Sequence, residues 1–157
     1  LTSVHIHEGV TFIGDRAFSG CSSITKVVLP DSVIWINPGA FLNCKSLTSV
    51  TIPSRVEDIR SRVFKGCSSL KSIVIPGSVL DIWDHAFALC TSLNNVLIPK
   101  GVTAIGFKAF SGCSNLSKVE LPSSVTYLGK YAFDRDVSVK HLKQNIAVKG
   151  KKSLEVV

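Results

Sequence analysis

The chain has 157 residues, of which 45% are hydrophobic and 18% are charged, and its formal net charge is +7. This composition excludes a disordered chain, and no apolar run approaches the roughly 20 residues that cross a bilayer. The positive charge raises polyanions as partners, and the five cysteines raise disulfides, zinc or a thiol nucleophile. The chain begins at Leu1 and contains no methionine, so we expect it to be a fragment of a longer protein.

The sequence is a tandem repeat. Its unit is L-x-x-V-x-I-P-x-x-V-x-x-I-x-x-x-A-F-x-x-C-x-x, and six copies fill residues 1–138. Residues 139–157 leave this pattern. The cysteines show the constant period most simply, at Cys21, Cys44, Cys67, Cys90 and Cys113.

Each unit predicts the same elements in the same order. L-x-x-V-x-I alternates apolar and variable residues and predicts a short strand, which the proline ends. V-x-x-I predicts a second short extended segment, and A-F-x-x-C predicts a tight turn or a helical half-turn. One unit cannot bury its apolar face alone, so the units are expected to stack about 4.8 Å apart around a shared core.

This unit resembles the BspA-like, or Treponema-type, leucine-rich repeat. The resemblance implies an α/β leucine-rich-repeat solenoid, a right-handed superhelix with short parallel strands and a convex side of turns or short helices. It also implies a secreted or cell-surface protein that binds other proteins or matrix, without catalytic residues or cofactors. The sequence departs from the family pattern at His7, which replaces proline, at Val63, which replaces alanine, and at Asp136, which replaces the sixth cysteine.

The cysteines occupy one column of the repeat, between phenylalanine and leucine. We expect a ladder of buried, free thiols that pack as small apolar side chains. A disulfide between neighbours stays open as an alternative, whereas the C-x-x-C pattern of a zinc site is absent. His5 and His7 lie on one side of a strand, but two ligands do not make a zinc site, so we expect no metal.

Function is expected in the columns that vary. On the first strand of each unit, one such column should point away from the core and combine apolar residues with a polar rim, as protein-binding surfaces do. The alternative is that β-branched residues there only favour strands. The predicted partner-binding residues on this concave sheet face are Lys26, Val28, Thr51, Val74, Leu97, Lys118 and Glu120.

A second column places Asp58 next to Asp81 in the stack, at about the separation of two glycosidase carboxylates. A hydrolase needs a cleft that excludes water, and this wall is predicted to be open. We therefore expect a solvated pair neutralised by Arg60 and Arg62, no small-molecule substrate and no enzymatic activity.

Positive charge concentrates toward the end of the chain, since residues 140–157 contain five lysines and one glutamate. This segment predicts a degenerate seventh unit, starting at Val139, and a β-hairpin that caps the core. An alternative function is polyanion binding, to a glycan or less favourably to nucleic acid. Its predicted residues are Arg55, Arg60, Arg62, Lys65, Lys149, Lys151 and Lys152.

The first repeat begins directly with strand residues and no polar cap. It should therefore expose an edge of the core, which either upstream repeats or end-to-end self-association would cover. The function predicted from the sequence is a non-enzymatic interaction or adhesion module of a larger surface or secreted protein, with a host protein, a matrix protein or a second copy as its partner.

Overall fold

A computed structural model describes residues 3–141, 147–148 and 155–156. These residues form a solenoid in which each repeat unit makes one turn around a common core. No helix occurs among them, so the side predicted as turns or short helices consists of turns. The strands in chain order are β1 (Val4–His5), β2 (Phe12–Ile13), β3 (Lys26–Val28), β4 (Trp35–Ile36), β5 (Ser49–Thr51), β6 (Asp58–Ile59), β7 (Ser72–Val74), β8 (Asp81–Ile82), β9 (Asn95–Leu97), β10 (Ala104–Ile105), β11 (Lys118–Leu121), β12 (Tyr127–Leu128), β13 (Ser138–His141), β14 (Ala147–Val148) and β15 (Glu155–Val156).

The strands form two walls. The first strands of the units, β1, β3, β5, β7, β9, β11 and β13, form the sheet wall, and the second strands, β2 to β14, form the second wall. Pairing is parallel throughout, and a residue pairs with its equivalent in the next unit, as Val27 does with Val50. Because the register equals the repeat, every predicted column is a physical row of side chains along the rod.

The core consists of the predicted columns. Within each strand the burial alternates, so that Ile73 is buried between exposed Ser72 and Val74. Six phenylalanines, one from each unit, stack in nearly parallel planes with ring centroids 5.0–5.6 Å apart. Continuous rows of this kind remove apolar surface from water, and each Å² that is buried stabilises the fold by about 25 cal/mol.

The third side of each unit is a turn, and these six turns form the turn wall. In each of the first five turns two positions have a positive φ, as at Arg62 and Gly66 of the third unit. Three amides of a turn donate to carbonyls of the next unit: in the second unit Gly39, Phe41 and Asn43 donate to Ser61, Val63 and Lys65. The turns are therefore hydrogen-bonded to one another along the rod, as the strands are.

The repeat changes length after residue 134. Lys118 of β11 pairs with Ser138 of β13, whereas an unchanged period would pair it with His141. Val139 therefore continues the column of Val119, at the place where the strict repeat predicts Leu142. The carboxylate of Asp134 accepts the Gly112 amide at 2.7 Å, where a backbone carbonyl serves in the earlier units.

The last two described strands extend the two walls. β14 pairs in parallel with β12, and β15 pairs in parallel with β13. β14 therefore belongs to the second wall and β15 to the sheet wall. In a β-hairpin, the two strands would instead pair with each other in antiparallel orientation. The predicted hairpin turn, with Lys149, Lys151 and Lys152, lies outside the described residues, and the capping role of 139–157 stays a prediction.

Candidate functional site

The predicted partner-binding column forms an exposed row on the sheet wall. Val28 is 52% exposed, Val74 80% and Leu97 75%. Val28 pairs with Thr51, and Val74 pairs with Leu97, so these side chains are direct neighbours across the strands. We call the exposed row Val28, Thr51, Val74, Leu97 and Glu120 the sheet-face strip.

The rim of the strip is polar, as predicted from the sequence. Two positions before each strip residue lies an exposed polar side chain: Lys26, Ser49, Ser72, Asn95 or Lys118. The sequence did not predict that Lys118 and Glu120 form a salt bridge, with Nζ 2.8 Å from Oε1. The hydrogen bond from Lys118 and the positive charge of this lysine lower the pKa of Glu120. The charged end of the strip is therefore partly neutralised within the chain.

The second wall brings Asp58 and Asp81 together, as predicted, because they are paired residues of β6 and β8. The Thr103 hydroxyl donates to Asp81 Oδ1 at 2.9 Å. The expected neutralisation by Arg60 and Arg62 is wrong. Arg60 donates from Nη1 to Asn37 Oδ1 at 2.7 Å, and within residues 3–140 neither arginine forms an ion pair.

The predicted basic patch is divided between different parts of the unit. Arg55 lies in the turn between β5 and β6, and half-buried Arg60 follows β6. Arg62 and Lys65 lie together on the turn wall. The three tail lysines of the same prediction, Lys149, Lys151 and Lys152, lie outside the described residues.

The turn wall carries a basic row that sequence reasoning missed. We call the outward-facing side chains of the six turns, which are residues 15–20, 38–43, 61–66, 84–89, 107–112 and 130–135, the turn edge. One of its columns contains residues with a positive φ: Arg16, Gly39, Arg62, His85, Lys108 and Tyr131. The signal that could have found the row is the recurrence of Arg or Lys at this repeat position in three of the six units, at Arg16, Arg62 and Lys108.

The electrostatics of the turn edge are visible at His85. Burial, followed by the charges of Lys65 and Arg62, lowers the pKa of His85, and Asp84 opposes this shift only in part. Its Nδ1 is buried and has no hydrogen-bond partner among the described residues. Burial and the neighbouring cations thus both disfavour a proton on His85.

A notch interrupts the turn edge at Gly39. It has a volume of ≈ 240 Å³ and is lined by Asp15, Arg16, Pro38, Gly39, Leu42, Ser61 and Arg62. A Cβ atom on Gly39 would come within 3.1 Å of Arg16 Cγ, so the missing side chain helps to keep the notch open. Arginines of the preceding and following units line its two ends.

The thiols form the expected ladder. All five cysteines are free, and four are buried, whereas Cys21 of the first unit is half-buried. Each buried thiol donates to the carbonyl of the phenylalanine 26 residues earlier, at 3.1–3.2 Å. Burial raises the pKa of Cys44 to about 11 and of Cys113 to about 12, so these groups are poor nucleophiles.

The part of the chain that the structure describes contains no cluster of three or more side chains suited to a metal ion. It also contains no helix long and apolar enough to cross a membrane. The surface features of this part of the chain are the sheet-face strip, the turn edge and the notch at Gly39.

The family follows from the repeat and its stacking. A model of the BspA type leucine rich repeat region, with six copies, matches residues 1–96 and 81–153. The chain belongs to this family. BspA-type repeats are non-enzymatic and generally act as protein-interaction modules. No curated protein matches the chain.

Solved structures of other leucine-rich repeat proteins share its architecture. The leucine-rich repeat protein of T. pallidum is 34% identical with a TM-score of 0.81, over 88% of this chain and 68% of that protein. A leucine-rich repeat protein of Eubacterium ventriosum is 28% identical with a TM-score of 0.79, over 85% and 36%. A leucine-rich cell surface protein of Faecalibacterium prausnitzii is 33% identical with a TM-score of 0.57, over 96% and 33%. The chain thus spans about two thirds of the first protein and about one third of the other two.

Proposed function

We propose that this chain is an adhesion or protein-interaction module of a larger surface or secreted protein, and that it binds a protein partner along the sheet-face strip. The observation that carries the proposal is the exposure of two large apolar side chains, Val74 and Leu97, at directly paired positions. Apolar surface inside a polar rim is the composition of a protein-binding centre.

The strip suits a protein partner better than a small molecule. Its residues lie on a row of short strands with alternating burial, so the exposed side chains stand on a rigid support. Val28, Val74 and Leu97 offer apolar contact area, whereas Thr51 and Lys26 offer hydrogen-bonding groups. Small-molecule sites need a concave pocket, and an extended row provides a broad, shallow contact instead.

A surface or secreted location is part of the proposal. It is supported by the likeness to the cell surface protein of Faecalibacterium prausnitzii. A pneumococcal vaccine antigen, PcpA, shares the fold. PcpA is only 15% identical, so its likeness concerns the fold alone. Fractionation of the source cells, with an antibody against residues 3–141, tests the location.

Binding is tested with the double variant Val74→Lys, Leu97→Glu, which removes the apolar centre without changing net charge. The chain is immobilised and exposed to extracellular-matrix and serum proteins, and the bound proteins are quantified by mass spectrometry. We expect specific partners to lose at least tenfold in enrichment, because hot spots at the centre of an interface dominate its affinity.

The matched control is Leu80→Lys, Trp83→Glu, which changes two exposed apolar residues outside the sheet wall. The control should retain the partners, and both variants should keep the melting temperature of the parent chain. Sedimentation velocity on the parent shows first whether a second copy is the partner, including one stacked on the first repeat. Equal enrichment by the parent and the strip variant would refute the proposal.

A further inference from the structure

The turn edge concentrates the positive charge of the repeats. Its six turns, counted from the residue before each position of the Arg16 column to four residues after it, contain six cations and three carboxylates. Residues 1–139 contain thirteen cations and ten carboxylates, an excess of three, which equals the excess on the turn edge alone. The cations are Arg16, Arg62, Lys65, Lys108, Lys130 and Arg135, and the carboxylates are Asp15, Asp84 and Asp134.

Two of the three carboxylates are occupied by the backbone. Asp84 Oδ1 accepts the Phe107 amide at 2.8 Å, and Asp134 Oδ2 accepts the Gly112 amide at 2.7 Å. Within residues 3–140 none of the six cations forms an ion pair with a carboxylate. The cations therefore remain available to an anion from outside the chain.

The cations are also arranged in a line. Arg62 and Lys108 belong to the same column, two units apart, and Lys65 lies three residues after Arg62 on the same turn. Units repeat at about 5 Å, as the phenylalanine ring spacing shows. A linear polyanion lying along the rod would meet cations at four of the six units, the first, third, fifth and sixth.

We infer that the turn edge binds a linear sulfated glycan. The aromatic rings near the C-terminal end of the turn edge, Phe107 and Tyr131, favour a glycan over nucleic acid as this partner. Lys108 Nζ lies 5.2 Å from the Phe107 centroid, and Lys130 Nζ lies 4.9 Å from the Tyr131 centroid. The ammonium groups cover ring faces that single-stranded nucleic acid would need for base stacking, whereas a sulfated sugar needs only the cations.

The notch at Gly39 gives one anionic group a defined place on this edge. The guanidinium groups of Arg16 and Arg62 and the hydroxyl of Ser61 can donate hydrogen bonds to a sulfate there, and guanidinium forks suit tetrahedral oxyanions. Asp15 at the same notch would oppose binding at this point. The stronger part of the edge is therefore expected to extend from Arg62 to Lys130.

This inference concerns a different surface from the sheet-face strip and does not depend on the proposed function. It is tested with heparin oligosaccharide as the probe, by titration calorimetry and by the salt concentration that elutes the chain from immobilised heparin. The test variant is Arg62→Asn, Lys65→Gln, Lys108→Asn. Asparagine is used at 62 and 108 because it tolerates a positive φ.

The matched control, Lys26→Gln, Lys71→Gln, Lys100→Gln, removes the same charge from three exposed lysines that lie off the turn edge. A third variant replaces Lys149, Lys151 and Lys152 with glutamine. We expect the turn-edge variant to bind heparin on the order of tenfold more weakly and to show a smaller salt dependence, because three counterion-releasing contacts are lost. The other two variants should bind within about twofold of the parent.

Equal losses in the turn-edge variant and the control would overturn the inference, since only net charge would then matter. Loss confined to the tail variant would overturn it in favour of the tail lysines. Oligothymidylate that binds as tightly as heparin, and is lost in the turn-edge variant, would make nucleic acid the partner and refute the glycan. Circular dichroism and melting temperature establish that each variant is folded.

Discussion

The first repeat and the middle repeats have nearly the same pattern but differ in burial. In the first unit Val4, Ile6, Val10, Phe18 and Cys21 are only partly buried. Their equivalents in the third unit, Val50, Ile52, Val56, Phe64 and Cys67, are all buried. A side chain in this protein is buried by its neighbouring units, and its own unit contributes only part of the cover.

The phenylalanine stack offers the largest test of this difference. Phe87 lies between Phe64 and Phe110, with centroids 5.5 and 5.0 Å away, whereas Phe18 stacks on Phe41 alone among the described residues. We expect Phe87→Ala to lower the free energy of unfolding by about 3–5 kcal/mol and Phe18→Ala by less than half of that. Urea denaturation of both variants measures the difference, and equal losses would contradict the dependence on neighbours.

The reactivity of the thiols gives a second test of the difference between the first and the middle repeats. Cys21 is half-buried, whereas Cys67 and Cys90 are fully buried and burial raises their pKa values far above that of a free thiol. We expect Cys21 to react with a disulfide reagent at pH 8 on the order of a hundred times faster than these two, which must wait for local opening. Mass spectrometry after timed quenching identifies the labelled residues. Similar rates at Cys21 and Cys67 would show that the middle repeats open as readily as the first.

The smallest expected effect is the pH dependence that His85 contributes to a middle repeat. Its pKa is lowered by burial and by Lys65 and Arg62, so the unfolded chain takes up the proton first as the pH falls through about 6.5. His85 therefore makes the fold less stable on the acid side and contributes nothing above both pKa values.

His85→Asn is the matched variant, because asparagine accepts the positive φ of 58° at this position. The loss of stability between pH 7.5 and pH 5 should be smaller in this variant than in the parent, as measured by urea denaturation at both values. An identical loss in the two proteins would exclude the contribution of His85.

The repeat allowed most of the fold to be predicted from the sequence. One period explains the core columns, the strand pairs and the exposure of Val74 and Leu97, since parallel stacking converts a constant spacing in sequence directly into contact. The same reasoning failed after residue 134, where Lys118 pairs with Ser138 and His141 pairs with Leu121. The turn before β13 is three residues shorter, and the strands still pair in register. A prediction that assumes a fixed period cannot detect this shortening.

The surface was harder to predict because long polar side chains choose among several partners. Arg60 lies near the Asp58 position in sequence, yet it bonds Asn37 of the preceding unit. Lys118 and Glu120 pair with each other on one strand. At the turn edge, Arg62 and Lys108 have a positive φ, a backbone conformation that their residue types did not indicate.

The hydrogen bonds of the turn wall give this wall a polarity. At Arg62, Phe64 and Gly66, and at the equivalent residues of other units, the amide donates toward the following unit. The peptide dipoles on this wall therefore align along the axis, with donors directed toward the C-terminal end and acceptors toward the N-terminal end. A further unit stacked after the last turn of this wall would therefore have to offer acceptors, and a unit stacked before the first turn would have to offer donors.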